Sequence, residues 1–465
     1  MPRFALFLLS TLLLVANANV YKEPPPTFAA NDFTAWEKRE VAGSRRAEVD
    51  VQFSAADGSP DYVKLVRLDL VGDTKQRGFA HGALLADRIK SFAEVELDQF
   101  IRDEVRSFHF DTTKMPAALA KIFAELDKVA VAASPKVFRR AMSWVWETEF
   151  EHTPQYIKDE IAAMAEGMCS TLGEHCSVPD WTATLQQVNM FPELIRMACT
   201  AFGAWGPAKT TGTGLIQLRA LDFGTGPWAR NTVVSVHRGD PSDPDHAFVT
   251  VSFPGFAGVI TGVSQNGIGI SEKVWMTYDT PDLQPGTFHG EADVFVLRDI
   301  LQFSKSKAQA ESMLAAKKRT FAIWIGVGDF ASSTFDLVGY QEGAAVPYTD
   351  VTMPSMTGQP YIPNICYVDK HPQPSHDGVN GSLPVALQDF YGKIDLVSIK
   401  QIIQAHETGD VHVAAYDFSE NKLQMAIGRT NADGYYGPEG GDLNVWFAYN
   451  RPWLLWNLSD LWAGK

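Results

Sequence analysis

The sequence predicts an α+β protein in which two packed β-sheets lie beneath helices. Three observations carry that reading. Helical patterns dominate up to about residue 199. Short, β-branched, turn-bounded runs dominate after it. A pair of helical patterns then separates two of those strand runs, which suits stacked sheets with helices outside.

Taken in order, residues 19 to about 60 hold Pro24, Pro25 and Pro26 with scattered charge, and read as an extended arm. Tyr62 to Val71 alternates as a strand. Arg77-Gly78-Phe79-Ala80-His81-Gly82 leads into a helix from Ala83 to about Val105. Helical patterns follow at Ala117–Ala132, Val137–Trp146 and Pro154–Met168. Past Cys199, strands are expected at Leu215–Phe223, Thr232–His237, Ala247–Phe253, Val259–Ser264 and Ile268–Val274. Asn266-Gly267 supplies a hairpin turn between the last two. Ala292–Lys305 and Lys307–Lys317 read as helices, Phe321–Val327 and Ser333–Gly339 as a second strand pair. Val397–His406 reads as a helix, and Val411–Asp417 with Lys422–Arg429 as a closing hairpin. Trp453, Trp456 and Trp462 read as packing residues.

The chain has 465 residues, a net charge of -15, 45% hydrophobic residues and 4 cysteines. That composition supports a sizeable core and excludes a disulfide-scaffolded miniprotein. The acidic balance argues against nucleic acid, whose phosphates call for a basic stripe. At the start, Arg3, the apolar run Phe4–Val15 and Ala16-Asn17-Ala18 read as a secretory signal peptide over residues 1–18. The sequons at Asn380 and Asn457 suit that route as glycan acceptors. No other segment reads as long enough to span a membrane. A secreted or lysosomal protein is expected. In an oxidising compartment Cys169 and Cys176, seven apart, either close a short disulfide loop or remain two buried thiols. Cys366 has no local partner.

Cys199 stands in Arg196-Met197-Ala198-Cys199-Thr200-Ala201-Phe202, at the junction between the helical and strand-rich parts. A free cysteine is usually a buried apolar residue. Here a Gly-bearing turn follows, then Leu215-Ile-Gln-Leu-Arg219-Ala-Leu-Asp222-Phe223-Gly224. This arrangement resembles the cysteine N-terminal nucleophile (Ntn) hydrolases of the acid ceramidase and penicillin acyltransferase-like group. Gly78-Phe79-Ala80-His81-Gly82, the helix Pro154–Gly167, the stretch Phe253–Gly262 and Ile270-Ser-Glu272-Lys extend the resemblance, loosely, over residues 60 to 370.

The resemblance implies a four-layer αββα sandwich of two mainly antiparallel sheets, matured by self-cleavage at Ala198-Cys199. The products would be a mostly helical α chain (19–198) and a strand-rich β chain (199–465) that stay together as a heterodimer. Cleavage frees the α-amino group of Cys199, whose reference pKa of ~7.7–8.0 lets it act as a general base. The implied reaction is hydrolysis of linear amides, fatty acyl amides among them, through a thioester on Cys199, with no cofactor and no metal. A phospholipase B-like or acyltransferase relative, and a non-catalytic secreted glycoprotein, are the alternatives. Arg219 and Asp222 carry over from the family's R-x-x-D. In a regular strand those two point to opposite faces, so Asp222 must lie at the strand end or on a bulge to reach the same site. Aligning Asn364 with the family's oxyanion asparagine requires a two-residue shift.

Glu272 stands out without any family. It shares a strand face with Ile268, Ile270 and Val274. If that face is buried, the carboxylate needs a charge partner or a proton, and Arg219 is the expected partner through strand pairing; if the face is solvated, Glu272 is ordinary. Rival constellations are weaker. His406 and His412 miss the H-E-x-x-H spacing, His371 and His376 lie in a Pro-rich loop, and there is no G-x-S-x-G elbow or Walker loop.

Overall fold

A computed structural model describes residues 21–465 except 55–57, 59, 104–114, 127, 196–197, 224–225, 240–246, 276–285, 371–382 and 431–444. The signal segment, Asn380, His371 and His376 lie outside the described residues.

The chain begins with β1 (Thr27–Ala29), β2 (Thr34–Val41), β3 (Ser44–Ser54) and β4 (Pro60–Val71). Helices α1 (Thr74–Ser91), α2 (Leu97–Asp103), α3 (Ala117–Leu126), α4 (Ser134–Glu149), α5 (Gln155–Leu172) and α6 (Val178–Leu194) follow. Then come β5 (Ala198–Trp205), β6 (Leu215–Asp222), α7 (Gly226–Arg230), β7 (Val233–Arg238), β8 (Phe248–Ser252), β9 (Thr261–Ser264) and β10 (Ile268–Val274). After α8 (Asp293–Phe303) and α9 (Lys307–Ala316) lie β11 (Ile323–Asp329), β12 (Thr334–Gln341) and β13 (Ala344–Tyr348). The chain continues through α10 (Met353–Thr357), β14 (Ile365–Val368), α11 (Leu383–Asp389) and α12 (Ser398–His406). It ends with β15 (His412–Asp417), β16 (Lys422–Ile427), β17 (Arg429–Thr430), β18 (Val445–Trp446), β19 (Trp453–Asn457) and α13 (Leu458–Trp462).

Two large sheets result. One has seven strands in the order β1-β19-β16-β15-β6-β5-β14; the other has ten, in the order β13-β12-β11-β10-β9-β8-β7-β4-β3-β2. Pairing is antiparallel except at β1/β19 and β4/β7. Alternation along each strand gives each sheet two apolar faces. The inner faces meet through Val49, Val63, Val234 and Val251 of the larger sheet and Tyr416, Met425 and Trp456 of the smaller. Outside the smaller sheet, Phe202 and Leu218 pack on Ile399, Ile402 and Ile403 of α12. Outside the larger, Ile268, Ile270 and Ile325 pack on Val296, Leu297 and Ile300 of α8 and Leu314 of α9. The layering is αββα, as expected.

Two sequence expectations need correcting. The extended arm is in fact β1 to β3: β2 and β3 form the edge hairpin of the larger sheet and β1 adds to the smaller one. The first long helix begins nine residues before Ala83, at Thr74, because Asp73 and Gln76 form a reciprocal capping box with bonds of 2.8 and 2.9 Å. Cys169 and Cys176 form a disulfide with Cα atoms 5.1 Å apart.

The Gly78-x-x-x-Gly82 motif now has a physical reason. A Cβ at Gly82 would lie 1.9 Å from Met164 O, and one at Gly78 would lie 2.4 Å from Glu160 O, so α1 and α5 touch backbone to backbone. This packing fixes His81, whose Nε2 accepts from Gly255 N at 3.2 Å. Burial lowers the His81 pKa to about 4, so the ring stays a neutral acceptor. Asn189 of α6 donates to Gly255 O and accepts from Ala257 N and Gly258 N. The two side chains together pin the 253–260 loop.

Candidate functional site

Cys199 is the second residue of β5, fully buried, and pairs with Leu221 of β6. Opposite residues share a face, so Cys199, Ala201 and Gly203 look the same way as Leu221, Arg219 and Gln217, toward the larger sheet. Gln217 donates to Ser271 Oγ across the gap at 2.8 Å. One pair along, Arg219 Nη2 donates to Cys199 Sγ at 3.2 Å and to Glu272 Oε2 at 3.1 Å. Its Nε donates to Glu272 O at 3.3 Å.

The expected Arg219–Glu272 pair therefore forms, but by a different route. The partners belong to different sheets and meet across the sandwich, so strand pairing is not what joins them. Glu272 N bonds Ile260 O just beyond the β9–β10 register, where the larger sheet opens. Burial pushes the Glu272 pKa up to about 7, against the pull of Arg219.

Asp222 is the last residue of β6 and pairs with Ala198. It lies on the face opposite Arg219, with Thr200, and is clasped by Thr408 Oγ1 at 2.6 Å and Gly409 N at 2.7 Å. Thr408 Oγ1 also lies 2.8 Å from Thr200 Oγ1 and, its own proton being on Asp222, accepts from it. The strand-end position leaves Asp222 level with the 198–199 peptide bond rather than against the thiol.

Asn364 is not brought to this cluster. Its carbonyl accepts from Trp205 N at the far end of β5. Six residues at ~3.3 Å each place it ~20 Å along the strand from Cys199. The antiparallel β5/β14 ladder puts the other end of β14 at the site instead, where Lys370 N donates to Thr200 Oγ1 at 3.2 Å. Asn457 is exposed, its Nδ2 donating to Asp460 at 3.2 Å.

Two residues that sequence reasoning passed over join the site. Lys273, fully buried, alternates onto the inner face beside Ser271, and burial lowers its pKa to about 8 while Cys199, Asp369 and Glu272 pull it up. His412 of β15 takes Arg219 Nη1 at 3.1 Å and Thr261 Oγ1 at 3.2 Å on Nε2. Burial and then Arg219 hold its pKa well below the usual histidine value, so it is neutral and Nε2 accepts from Arg219. His406 bonds Asp369 at 2.5 Å, so the two histidines have separate partners. The thiol itself is pushed up to about 12 by burial, with Arg219 opposing. It is a neutral thiol in the intact chain.

Phe92, Phe191, Trp228, Phe253, Phe256 and Ile260 enclose a small apolar cavity of about 10 Å³ in the same hydrophobic cluster as Cys199. Behind α8, Glu149, Glu193 and Asp293 are buried together; burial raises all three well above ordinary carboxylates, and their mutual charge reinforces it for Glu193 and Asp293.

The fold and site define an αββα sandwich with a buried cysteine–arginine–glutamate group at the entry of an inner strand. The chain belongs to the family of protein dcd1A of Dictyostelium discoideum, with which it shares 30% identity over 417 residues, 87% of each chain. Protein dcd1B of the same organism is 29% identical over 411 residues, covering 85% of this chain and 74% of that one. An uncharacterized protein of Archaeoglobus fulgidus is 22% identical over 423 residues, covering 84% and 65%. No protein-family model matches. Among solved structures, a Caenorhabditis elegans N-acylethanolamine-hydrolyzing acid amidase ortholog is similar at TM-score 0.34 and 13% identity, over 47% of this chain and 92% of its own. A conjugated bile acid hydrolase mutant from Clostridium perfringens is similar at TM-score 0.33 and 9% identity, over 55% and 98%.

Proposed function

We propose that the chain is the precursor of a secretory-pathway cysteine amidohydrolase of the Ntn type, cut at Ala198-Cys199 and acting on linear amides with an apolar acyl group. One observation carries the reading: the Cys199 thiol lies 3.2 Å from a buried guanidinium at the first turn of chain into the inner strand. In the maturation step, Sγ attacks the Ala198 carbonyl carbon, the S–C bond forms as the C–N bond breaks, and the thiol proton passes to the departing Cys199 nitrogen. Water then hydrolyses the thioester, leaving an Ala198 carboxylate and a free Cys199 amine.

In the mature protein that amine, not a histidine, takes the thiol proton. Arg219 holds positive charge against the thiolate, and Asp222 stands where it can pair with the new ammonium. The thiolate attacks the substrate amide, the amine product leaves with a proton, and water releases the acyl group. Lys273, whose charge interacts with Cys199, is a second buried cation available to the developing oxyanion. The apolar side chains that cluster with Cys199 support an apolar acyl group, and the disulfide suits the signal-peptide reading.

The test is mass and N-terminal sequencing of secreted protein, with Cys199→Ala beside it. A new terminus at Cys199, absent in the variant, is expected. Wild type that stays whole at both acidic and neutral pH would overturn the proposal.

A further inference from the structure

A second site lies where β3, β4, α1 and α7 meet the β16–β17 segment. Six cations, Arg46, Lys64, Arg88, Arg230, Arg429 and Arg451, line a cleft of 510 Å³. Among the described residues, only Asp87 and Glu96 line it with opposite charge. Glu96 is committed to Arg230 at 2.7 Å and to Asn231 at 2.7 Å. At the rim, Glu48 takes both Arg46, at 3.4 Å, and Lys64, at 2.9 Å. Deeper in, Arg429 and Arg451 share the single carboxylate of Asp61.

Acceptors are missing just there. Arg88 Nη1, Arg429 Nε, Arg451 Nε and Thr430 Oγ1 are buried without a hydrogen-bond partner among the described residues. Thr430 is 5% exposed and Arg451 2%. Buried donors normally find acceptors, and a guanidinium left with too few carboxylates is costly. Arg429 is also held rigid, its guanidinium 4.2 Å from the Tyr62 ring and 4.5 Å from the Trp446 ring. A pre-set planar fork facing unmet demand for acceptors is what a tetrahedral oxyanion answers.

We propose that this cleft binds a phosphate group, free or carried as a terminal ester on a larger molecule. It is distinct from the thiol site. Ile427 at the cleft pairs with His412, His412 with Leu221, and Leu221 with Cys199. Three strand spacings of ~4.8 Å put the two sites ~14 Å apart across the sheet. Binding here requires neither cleavage nor catalysis.

The experiment uses full-length protein carrying Cys199→Ala, titrated calorimetrically with inorganic phosphate at constant ionic strength, and floated with phosphatidylcholine vesicles containing or lacking phosphatidic acid. Arg88→Gln and Arg429→Gln are compared with Lys75→Gln, an exposed control, and each variant's thermal melt reports folding. The expected result is saturable binding of phosphate, of phosphatidic acid vesicles or of both, weakened at least ~10-fold in the two cleft variants and unchanged in the control. Phosphate binding without flotation assigns the site to a soluble ligand; flotation only with phosphatidic acid assigns it to a lipid headgroup. No saturable binding of either probe, or binding equally weakened by Lys75→Gln, overturns the proposal.

Discussion

Replacing Glu272 by glutamine in a Cys199→Ala background isolates one buried titration in an uncut chain. In the folded protein the Glu272 pKa is about 7, raised by burial from the usual 4.5. The folded chain therefore keeps a proton that the unfolded chain has already lost. Stability from this group is fully present below pH 4.5, falls as pH rises toward 7, and is flat above it. A difference of 2.5 pH units at ~1.4 kcal/mol per unit amounts to ~3.5 kcal/mol. Glutamine does not ionise, so the variant should show a pH–stability profile flatter by that amount, whatever its absolute stability. Urea unfolding followed by tryptophan fluorescence at pH 4.5, 5.5, 6.5 and 7.5 measures both. Parallel profiles for parent and variant would refute the assignment of Glu272 as a buried, proton-holding partner of Arg219.

Other consequences are as direct. Gly82→Ala places a Cβ 1.9 Å from a backbone oxygen of α5, so the two helices must part; a loss of ~1–3 kcal/mol is expected, read as a lower melting temperature. Cys169→Ser with Cys176→Ser opens a loop of sequence separation 7; the urea midpoint should drop by the equivalent of ~2 kcal/mol, and the single variants should match the double. Glu149→Gln removes an ionisation that burial opposes; thermal melts should show it stabilised relative to wild type at pH 8 and little changed at pH 4.5, with a gain of at least ~1 kcal/mol.

How much of this was legible follows from what each signal measures. Cys199, Arg219 and Asp222 were singled out through the family resemblance, and antiparallel pairing of their two strands brings Arg219 to the Cys199 thiol. The objection about opposite faces was sound: Asp222 ends the strand on the face away from Arg219, with no bulge to turn it. Glu272 announced that it needed a partner, but a one-dimensional pattern does not say which sheet supplies it. Lys273 was hidden by the same pattern: it follows Gly269 and Ser271 on the face that meets the second sheet, where those two small residues make room for Gln217. Asn364 failed because strand polarity, not spacing, decides which end of β14 reaches the thiol. The β2–β3 hairpin was missed because Glu37, Lys38, Arg39, Glu40, Arg45 and Arg46 look solvated, which is how edge strands protect themselves.

The placement of that hairpin has a consequence for the life of a cut molecule. Residues before 199 supply β1 to the smaller sheet and β2, β3 and β4 to the larger, while the disulfide stays within that half. A broken 198–199 bond would thus leave two polypeptides woven through both sheets with no covalent tie among the described cysteines. They would hold together while folded, yet recovery after denaturation would become a second-order encounter, dependent on concentration. The intact precursor refolds from a single chain; the processed protein, once lost, would have to find its other half.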